Sequence, residues 1–463
     1  MQHSHLLRGR PPVPPDVRAE GPDGKNRLLI RPAGAEKGGG YLPRERLDRP
    51  VIGGLIAFAG WLVFVVARLT GWADGKLSLF IGSGTRYSHP ALMFPRIAHV
   101  KGKGYDGQFY YRFAFDPFNW HPTAYGITID HPYRYTRIGY SVVAWVLSAG
   151  GHGRVLPFVL VAVNLLCVAA MAWLGGLLAR ESGRHALWGL LFAAYFGLVV
   201  SVGRDTSEPL ADACLLGGLL AYRHRRFVLA ALLVAYAVFT NEPVLVLPVV
   251  LALTRLRQLC RREARPGLPD LVWVLPGFLY LLLQAVQHVI VRGTAGGVAD
   301  ASANLTWPFT ALIAGLNRDI HRMSWTHLGT YDYNLVEFLA ITAFLVAAFL
   351  VLRSTTAPIH ERLAFIGFVI VEMVIASSQF WYSVFGEGRT YIDAYVMAVV
   401  LLLATPAATA TAVVTRGAHR AHAPLLDRVF PTNRAITNKH LAWLAAAVIM
   451  ALIVVARRRI LFE

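Results

Sequence analysis

The side chains best suited to chemistry lie together in one polar stretch, Gly104-Tyr105-Asp106-Gly107-Gln108-Phe109-Tyr110-Tyr111-Arg112. Two glycines flank Asp106, so the backbone can form a tight turn that presents its carboxylate. Phenol, amide and guanidinium groups follow within two helical turns, and this combination suits a polyhydroxylated substrate that carries a phosphate. Asp106 is therefore a candidate catalytic residue, and Tyr105, Gln108 and Tyr110 are candidate substrate-binding residues. An ordinary helix start at a bilayer surface would explain Asp106 and the glycines, but not the aromatic and amide groups.

The composition indicates a helical membrane protein with many spans. Hydrophobic residues make up 55% of the 463 residues, charged residues make up 16%, and the mean hydropathy is +0.47. These values are typical of a polytopic membrane protein and not of a soluble domain. The formal charge of +18 would suggest a nucleic-acid partner in a soluble chain. In a membrane protein this charge belongs on cytoplasmic loops beside anionic lipid, so no nucleic-acid partner is predicted.

Apolar and polar runs divide the chain into segments. Residues 1–50 form a basic tail that we expect to be disordered and cytoplasmic. A first transmembrane helix at 51–71 precedes a long first extracytoplasmic loop at 72–153, which contains Asp106. The remaining segments are transmembrane helices at 154–292, a second extracytoplasmic loop at 293–334, transmembrane helices at 335–457 and a C-terminal tail at 458–463.

The apolar stretch 137–149 decides the orientation of every later helix. At about 1.5 Å per residue it is too short to cross a membrane, so we predict an interfacial helix on the outer surface. The later spans are then 154–179, 185–202, 207–222, 227–240, 243–256, 269–292, 335–353, 362–380, 390–410 and 441–457. The predicted fold is an all-α polytopic membrane protein with about 11 transmembrane helices, within a range of 10–13. In this arrangement the arginine clusters between spans fall on the inner loops, the short outer turns hold almost none, and the long first loop is exempt because long loops cross largely regardless of charge. Arg457 to Arg459 do not fit the pattern.

Short outer turns bring further polar groups to the side of the membrane predicted for Asp106. In two of these turns a Ser or Asn precedes a Glu-Pro pair, which is ordinary helix-cap chemistry. Polar groups that dip below the membrane surface nevertheless line a cavity and mark function. Because the topology gathers the turns at one rim, the candidate substrate-binding residues from them are Arg204, Asp205, Glu208, Glu242 and Arg389.

Cofactor motifs are not apparent in the sequence. No glycine-rich phosphate loop follows a strand, so a nucleotide-binding domain is not predicted. His89, His99, His121 and His131 share the first loop with several carboxylates, which keeps a divalent metal open as an alternative. None of them has the HxxxH or HExxH spacing of one helical face. We therefore predict no required cofactor and assign no metal ligand.

The Tyr-Asp-Gly-Gln block resembles one family of membrane enzymes. Gly104 to Tyr110, followed by Asp130 and by Tyr133-Arg134-Tyr135-Thr136-Arg137-Ile138, is similar to bacterial glycosyltransferases of the GT-C superfamily. These are polyprenyl-phosphate-sugar-dependent, mannosyl- and arabinosyltransferase-like proteins. The turns at 204–211 and 240–243 also look like loops of that group, and the resemblance covers about 50–410. One departure is Asn241, where many relatives carry arginine.

The resemblance implies a GT-C-like bundle and an inverting transfer at the extracytoplasmic face of a bacterial inner membrane. A sugar would leave a polyprenyl-phosphate donor for a hydroxyl of a glycan, lipid or protein acceptor. Asp106 would act as general base, with Asp130 as the second candidate. Arg389, and then Arg204, would stabilise the departing phosphate. Two alternatives stay open: a polytopic transporter or lipid-linked sugar flippase, and a non-catalytic assembly subunit.

Overall fold

The apolar runs form helices in the computed structural model, which describes residues 47–93, 95–290, 306–323, 330–374 and 388–405. In chain order the helices are α1 (Pro50–Gly71), α2 (Gly107–Phe115), α3 (Gly139–Leu147), α4 (Leu156–Glu181), α5 (Leu190–Ala193), α6 (Gly197–Gly203), α7 (Glu208–Arg223), α8 (Phe227–Thr240), α9 (Val246–Cys260), α10 (Leu271–Ile290), α11 (Thr310–Arg322), α12 (Thr330–Ser354), α13 (Ile359–Val374) and α14 (Ile392–Leu403). The described strands, β1 (Thr123–Ala124) and β2 (Ile127–Thr128), form a small antiparallel hairpin in the first loop.

Four segments of the described chain are long and apolar enough to cross a membrane. They are α1, α4, the segment Glu242–Cys260 that ends with α9, and the segment Leu268–Ile290 that contains α10. A fifth crossing results if Ala186–Ala193 and Gly197–Gly203, which meet at an angle of 67°, are one broken span. The membrane character of the chain is thus supported. The total of about 11 transmembrane helices stays a prediction, and its last member, 441–457, lies outside the described residues.

Two of the central helices are short. α7 has 16 residues and α8 has 14, which correspond to about 24 Å and 21 Å. Both are shorter than a hydrocarbon core of about 30 Å. They pack closely, because a Cβ atom on Gly218 of α7 would lie only 2.7 Å from the side chain of Val234 on α8. The turns at the ends of this pair are the ones that carry Glu208 and Glu242.

The main apolar core lies where α1, α4, α7, α8, α13 and α14 meet. Trp61 of α1 is buried there, and its indole N–H donates to the carbonyl oxygen of Ala193 at 2.9 Å. Other apolar side chains face outward, and Phe278 and Leu281 of α10 are 60% and 68% exposed. An apolar outer surface of this kind suits contact with lipid.

The first loop has a second, smaller core of its own. Side chains of α2 and α3 pack there against α4, with Tyr111 and Tyr140 fully buried. The hydroxyl of Tyr140 donates to the carbonyl oxygen of Leu160 at 2.8 Å. α3 has nine residues, so the stretch predicted as an interfacial helix is indeed too short to cross.

Ion pairs and helix caps join the helices at the end of the bundle away from Asp106. Arg223 of α7 binds both carboxylate oxygens of the buried Glu361 of α13, at 2.8 and 2.7 Å. Arg184 donates to the carbonyl oxygens of Leu402 and Leu403 at the end of α14. Arg180 near the end of α4 donates to the carbonyl oxygen of Asp48, just before α1, at 3.0 Å. The starts of α1 and α13 and the ends of α4, α7 and α14 therefore share this end.

Candidate active site

Two close backbone approaches fix the turn that carries Asp106. Gly104 has a φ of 71°, in the left-handed region, and lies against the backbone of Gly82 and Gly84. Gly107 begins α2 without a positive φ, but a Cβ atom there would lie 2.6 Å from the carbonyl oxygen of Ile81. Side chains at these two positions would collide with backbone, so glycine is required at both.

Asp106 lies between two arginines from distant parts of the chain. One carboxylate oxygen accepts a hydrogen bond from Nη2 of Arg134 at 2.8 Å, and the other accepts from Nη2 of Arg389 at 2.9 Å. The carboxylate makes no capping hydrogen bond to the start of α2, so helix capping does not account for it. Its side chain is 20% exposed, so a ligand can reach it from one side. We call Arg134, Asp106 and Arg389 the clamp.

The clamp keeps Asp106 ionised. Burial disfavours the charged carboxylate, but Arg134 and Arg389 outweigh burial and hold the pKa of Asp106 well below its usual range. A carboxylate with so low a pKa is a weak proton acceptor. Asp106 can therefore act as an effective base only when its contact with the arginines is loosened.

Arg134 is the member of the clamp that the sequence analysis did not select. It lies in the 3-10 turn Pro132–Thr136, and its Nε donates to Oδ1 of Asp130 at 3.0 Å. Its guanidinium carbon lies 4.5 Å from the ring centre of Phe109 and 4.8 Å from that of Tyr133. Asp130, the second candidate base, is thus bound to Arg134 and orients it. The spacing of four residues between Asp130 and Arg134 was the available sequence signal.

Arg389 is oriented by the start of α7. Its Nε lies 3.2 Å from Oε1 of Glu208, and Oε2 of Glu208 accepts hydrogen bonds from Ser201 and Thr206. Gly388, which precedes Arg389, places its carbonyl oxygen against Gly197 of α6, so a Cβ atom at position 197 would not fit. Glu208 therefore acts on the clamp through Arg389.

Arginines and aromatic rings alternate beside the clamp. The guanidinium carbon of Arg389 lies 5.2 Å from the ring centre of Tyr105, and that of Arg204 lies 5.8 Å from the same centre. Arg204 also lies 5.2 Å from the ring of Trp72, and it forms no ion pair with a described carboxylate. Burial raises the pKa of Tyr105 to about 12, so the phenol stays neutral. Arg204 is thus a third cation beside the clamp.

Glu242 ties the turn before α9 to the first loop. It accepts hydrogen bonds from the hydroxyl of Thr136 at 2.7 Å and from Nε of Arg137. Gln287 of α10 reaches the same region, because its amide donates to the carbonyl oxygen of Pro132 at 2.7 Å. Arg137 therefore supplies a cation at the turn that contains Asn241 and Glu242.

Three candidate binding residues are buried, and two of them form hydrogen bonds within the protein. The amide of Gln108 accepts from the N–H of Gly84 at 3.1 Å and donates to the carbonyl oxygen of Lys103 at 2.9 Å. The hydroxyl of Tyr110 accepts from Ser207 at 2.8 Å. Asp205 is fully buried with a φ of 49°, and burial raises its pKa while Arg68 opposes the rise. The hydrogen bonds of Gln108 and Tyr110 thus stabilise the first loop, and Asp205 is shielded from solvent.

Below the clamp lie buried carboxylates that the sequence analysis did not single out. Asp212 of α7 and Asp393 of α14 lie beside each other, and Glu372 lies close to Asp393. All three are at most 3% exposed. Such groups in an apolar bundle are rare and mark function by default.

A divalent metal stays an open alternative, as it was from the sequence. In the described ranges, no group of three His, Cys, Asp or Glu side chains is placed to hold a metal ion. Nδ1 of His99, one of the first-loop histidines, lies 3.1 Å from the hydroxyls of both Ser83 and Ser88.

Asp106, Asp130, Glu208 and Arg389 form one connected network, with Tyr105 and Arg204 beside it. Glu242, which was predicted for the same rim, binds Thr136 and Arg137 instead, and Asp205 is fully buried. A carboxylate, two buried guanidiniums and a third cation in a partly open setting can bind an anion and move a proton. Comparison with known proteins adds no identification, since no family model, curated protein or solved structure matches this chain.

Proposed function

We propose that the protein is a membrane glycosyltransferase of the GT-C type. It moves a sugar from a polyprenyl-phosphate donor to a hydroxyl acceptor, a cell-surface glycan, lipid or protein, with inversion at the sugar carbon. The observation that carries the proposal is the clamp, in which Asp106 lies between Arg134 and Arg389 at the end of a helical bundle. The clamp combines a carboxylate with two cations, the groups that proton removal and phosphate departure require.

In the proposed reaction Asp106 takes the proton of the acceptor hydroxyl while the acceptor oxygen attacks the anomeric carbon. The bond from that carbon to the phosphate oxygen breaks, and its electron pair leaves with the lipid phosphate. Arg389 and Arg204 stabilise this leaving group through charge-assisted hydrogen bonds. Attack opposite to the leaving group gives the inverted sugar.

The other site residues hold these groups in place. Glu208 orients Arg389 through their contact at 3.2 Å, and Asp130 does the same for Arg134 at 3.0 Å. Glu242 fixes Arg137 and Thr136 and so ties the first loop to the bundle. Tyr105 places a neutral ring beside Arg204 and Arg389.

Exposed apolar side chains on the bundle support a location for the donor. α10 presents exposed apolar side chains such as Phe278 and Leu281, and Gln287 near its end bonds to the turn that carries Arg134. A polyprenyl tail can therefore lie in the membrane along the bundle while its phosphate reaches the clamp. We place the clamp at the extracytoplasmic face of a bacterial inner membrane, since arginine-rich turns such as 223–226 and 255–265 lie at the opposite end.

Transport is the alternative function that one observation favours, namely the buried carboxylates Asp212, Asp393 and Glu372. A transport path needs polar groups through the membrane. In α7, residues 213–222 separate Asp212 from Arg223 and carry no charge. This apolar stretch is about 15 Å long. In α14, residues 394–403 are also uncharged. The carboxylates thus stay near the clamp end, which favours an enzyme.

The first test is sugar transfer from a radiolabelled polyprenyl-phosphate donor in proteoliposomes. Asp106→Asn should lower the transfer rate by about 10²–10⁴-fold, the usual contribution of a general base. The matched control is Asp116→Asn, at the other end of α2, where the carboxylate accepts a hydrogen bond from the N–H of Phe118 that an amide oxygen can keep. Equal turnover by the Asp106 variant would reject it as the base, and transport of the lipid without transfer would favour the alternative.

A further inference from the structure

The clamp contains unused hydrogen-bonding capacity. Nη1 of Arg134 and Nη1 of Arg389 are buried and have no hydrogen-bond partner among the described residues. Both arginines are only 6% exposed. A buried N–H group without a partner is costly, and it is usually satisfied by a ligand or an ordered water. Both unused groups belong to the two arginines that already bind Asp106.

The same two arginines have one fixed partner and one exchangeable partner each. Asp130 binds Arg134 through two oxygens at 3.0 and 3.2 Å, and Glu208 binds Nε of Arg389 at 3.2 Å. Both carboxylates come from the walls of the site, and their side chains are 12% and 7% exposed. Asp106 is the most exposed of the three carboxylates at 20%. It is therefore the one that an incoming anion can displace.

We propose that Asp106 occupies the anion site of its own protein in the free state, and that the phosphate of the lipid donor exchanges with it on Arg134 and Arg389. This inference rests on the proposed function and names Arg134 as a phosphate-binding residue of the same site. A phosphate has more acceptor oxygens than a carboxylate, so it can engage the unused Nη1 groups as well. The displaced carboxylate then lies beside the phosphate without its two cations.

The exchange explains how one carboxylate serves both states. In the free protein Asp106 neutralises two buried guanidiniums, which would otherwise be uncompensated charges. After exchange it has lost the contacts that made it a weak base, and it faces the negative phosphate, which disfavours its charged form. Its proton affinity therefore rises only when the donor is in place. The base is activated by the substrate, so a proton is not taken up before a sugar is ready for transfer.

The test measures binding and needs no turnover. A polyprenyl monophosphate in phosphatidylcholine nanodiscs is titrated by calorimetry into wild type, Asp106→Asn and the charge-matched control Asp116→Asn. The Asp106 variant should bind the lipid phosphate at least about tenfold more tightly than wild type, the size of one charge-assisted hydrogen bond. The Asp116 variant should bind like wild type. Equal affinity for the two variants would overturn the exchange, as would absence of binding in all three proteins.

A second variant keeps the test decisive if Asp106→Asn does not fold. Arg134→Gln should then weaken lipid-phosphate binding at least about tenfold, and unchanged affinity would overturn the proposal. Inorganic phosphate provides a further arm. A gain limited to the lipid identifies a membrane-borne phosphate, whereas an equal gain for inorganic phosphate identifies a soluble phosphoester as the exchanging anion. Tight binding by Asp106→Asn with no sugar transfer by wild type would preserve the exchange and reject the transferase. Normal sugar transfer by wild type, with no gain in lipid-phosphate affinity in Asp106→Asn, would preserve the transferase and reject the exchange.

Discussion

Asp106 sets the behaviour of the site at the scale of single residues. Its two contacts, at 2.8 and 2.9 Å, connect a loop residue to arginines 28 and 283 positions away. An aspartate just before a helix would be expected to cap the helix N-terminus. Asp106 binds two arginines instead. The geometry therefore separates two interpretations that the sequence left open, and it favours an electrostatic role.

The pH dependence follows from the direction of the pKa shift. Since the pKa of Asp106 is held below its usual range by Arg134 and Arg389, the ion pairs stabilise the fold above about pH 4 and are lost only as pH falls through the lowered value. Between pH 8 and 5 the free protein keeps Asp106 charged. We expect kcat/KM to stay constant over this interval. As the pH is lowered, kcat should begin to fall at a higher pH than kcat/KM, because kcat reports the protonation of Asp106 in the donor complex.

Steady-state transfer rates at fixed ionic strength measure both profiles. The control is the unfolding temperature over the same range, which separates loss of chemistry from loss of fold. A decline of kcat/KM centred near pH 6 would contradict an ion-paired Asp106 in the free protein.

The residue scale also shows what sequence reasoning could not reach. Gln108 and Tyr110 have suitable chemistry, but the rotation of α2 turns both side chains inward. Rotation depends on packing of Phe109 and Tyr111 against α3 and α4, which spacing alone does not specify. Arg134 was missed for the opposite reason. Its local partner Asp130 was visible at four residues, but its contact with Asp106 depends on the path of the whole loop.

At the scale of elements, the turn between residues 104 and 107 depends on two glycines. Gly107 is the sharper case, since its Cβ position is blocked by the carbonyl oxygens of Ile81 and Arg204. Gly107→Ala should shift α2 and lower the free energy of unfolding by about 1–3 kcal/mol, as overpacking does. It should also reduce transfer, because Asp106 moves with the start of α2.

Gly60→Ala is the matched control. Gly60 lies in α1, and a Cβ atom there meets nothing within 4 Å. Alanine should stabilise that helix by about 0.5–1 kcal/mol. Chemical unfolding in detergent compares the two variants, and equal stability would show that the turn tolerates a side chain.

Elements were the level best predicted from sequence. The bounds of α4, α7 and α8 lie within two residues of the predicted spans, because long apolar runs and Arg-rich ends specify both length and limits. The break between α5 and α6 was not predicted, since the run from 185 to 202 is continuously apolar. Hydropathy alone does not encode the bend of 67° between them.

At the scale of the whole molecule, the two ends of the bundle differ in chemistry. The clamp and its aromatic neighbours lie at one end, and the pairs Arg223–Glu361 and Arg255–Asp270 lie at the other. That the turns carrying Asp106, Glu208 and Arg389 lie at the same end could be predicted, because the direction of each helix follows from counting spans. The contacts within that end could not, since they require the positions of side chains.

Orientation in the membrane gives the last prediction. Cys260, at the end of α9, is exposed and belongs to the end proposed as cytoplasmic. It should not react with a membrane-impermeant maleimide in intact cells, and it should react after the membrane is opened. In a Cys260→Ser background, His152→Cys, at an exposed position in the first loop, should react without opening. The reverse pattern would place the clamp inside the cell and remove the extracytoplasmic donor.

The contact between Gly197 and Gly388 has a consequence for how the sequence can diverge. Any side chain at 197 would displace the carbonyl oxygen of Gly388, and Arg389 would move with its neighbour. A homologue could thus lose the contact between Arg389 and Asp106 through a substitution at position 197 in the uncharged helix α6, with every polar residue retained. Among descendants of a common ancestor, glycine at 197 should therefore persist wherever Asp106 and Arg389 persist, and a larger residue there would mark a copy in which the clamp is lost.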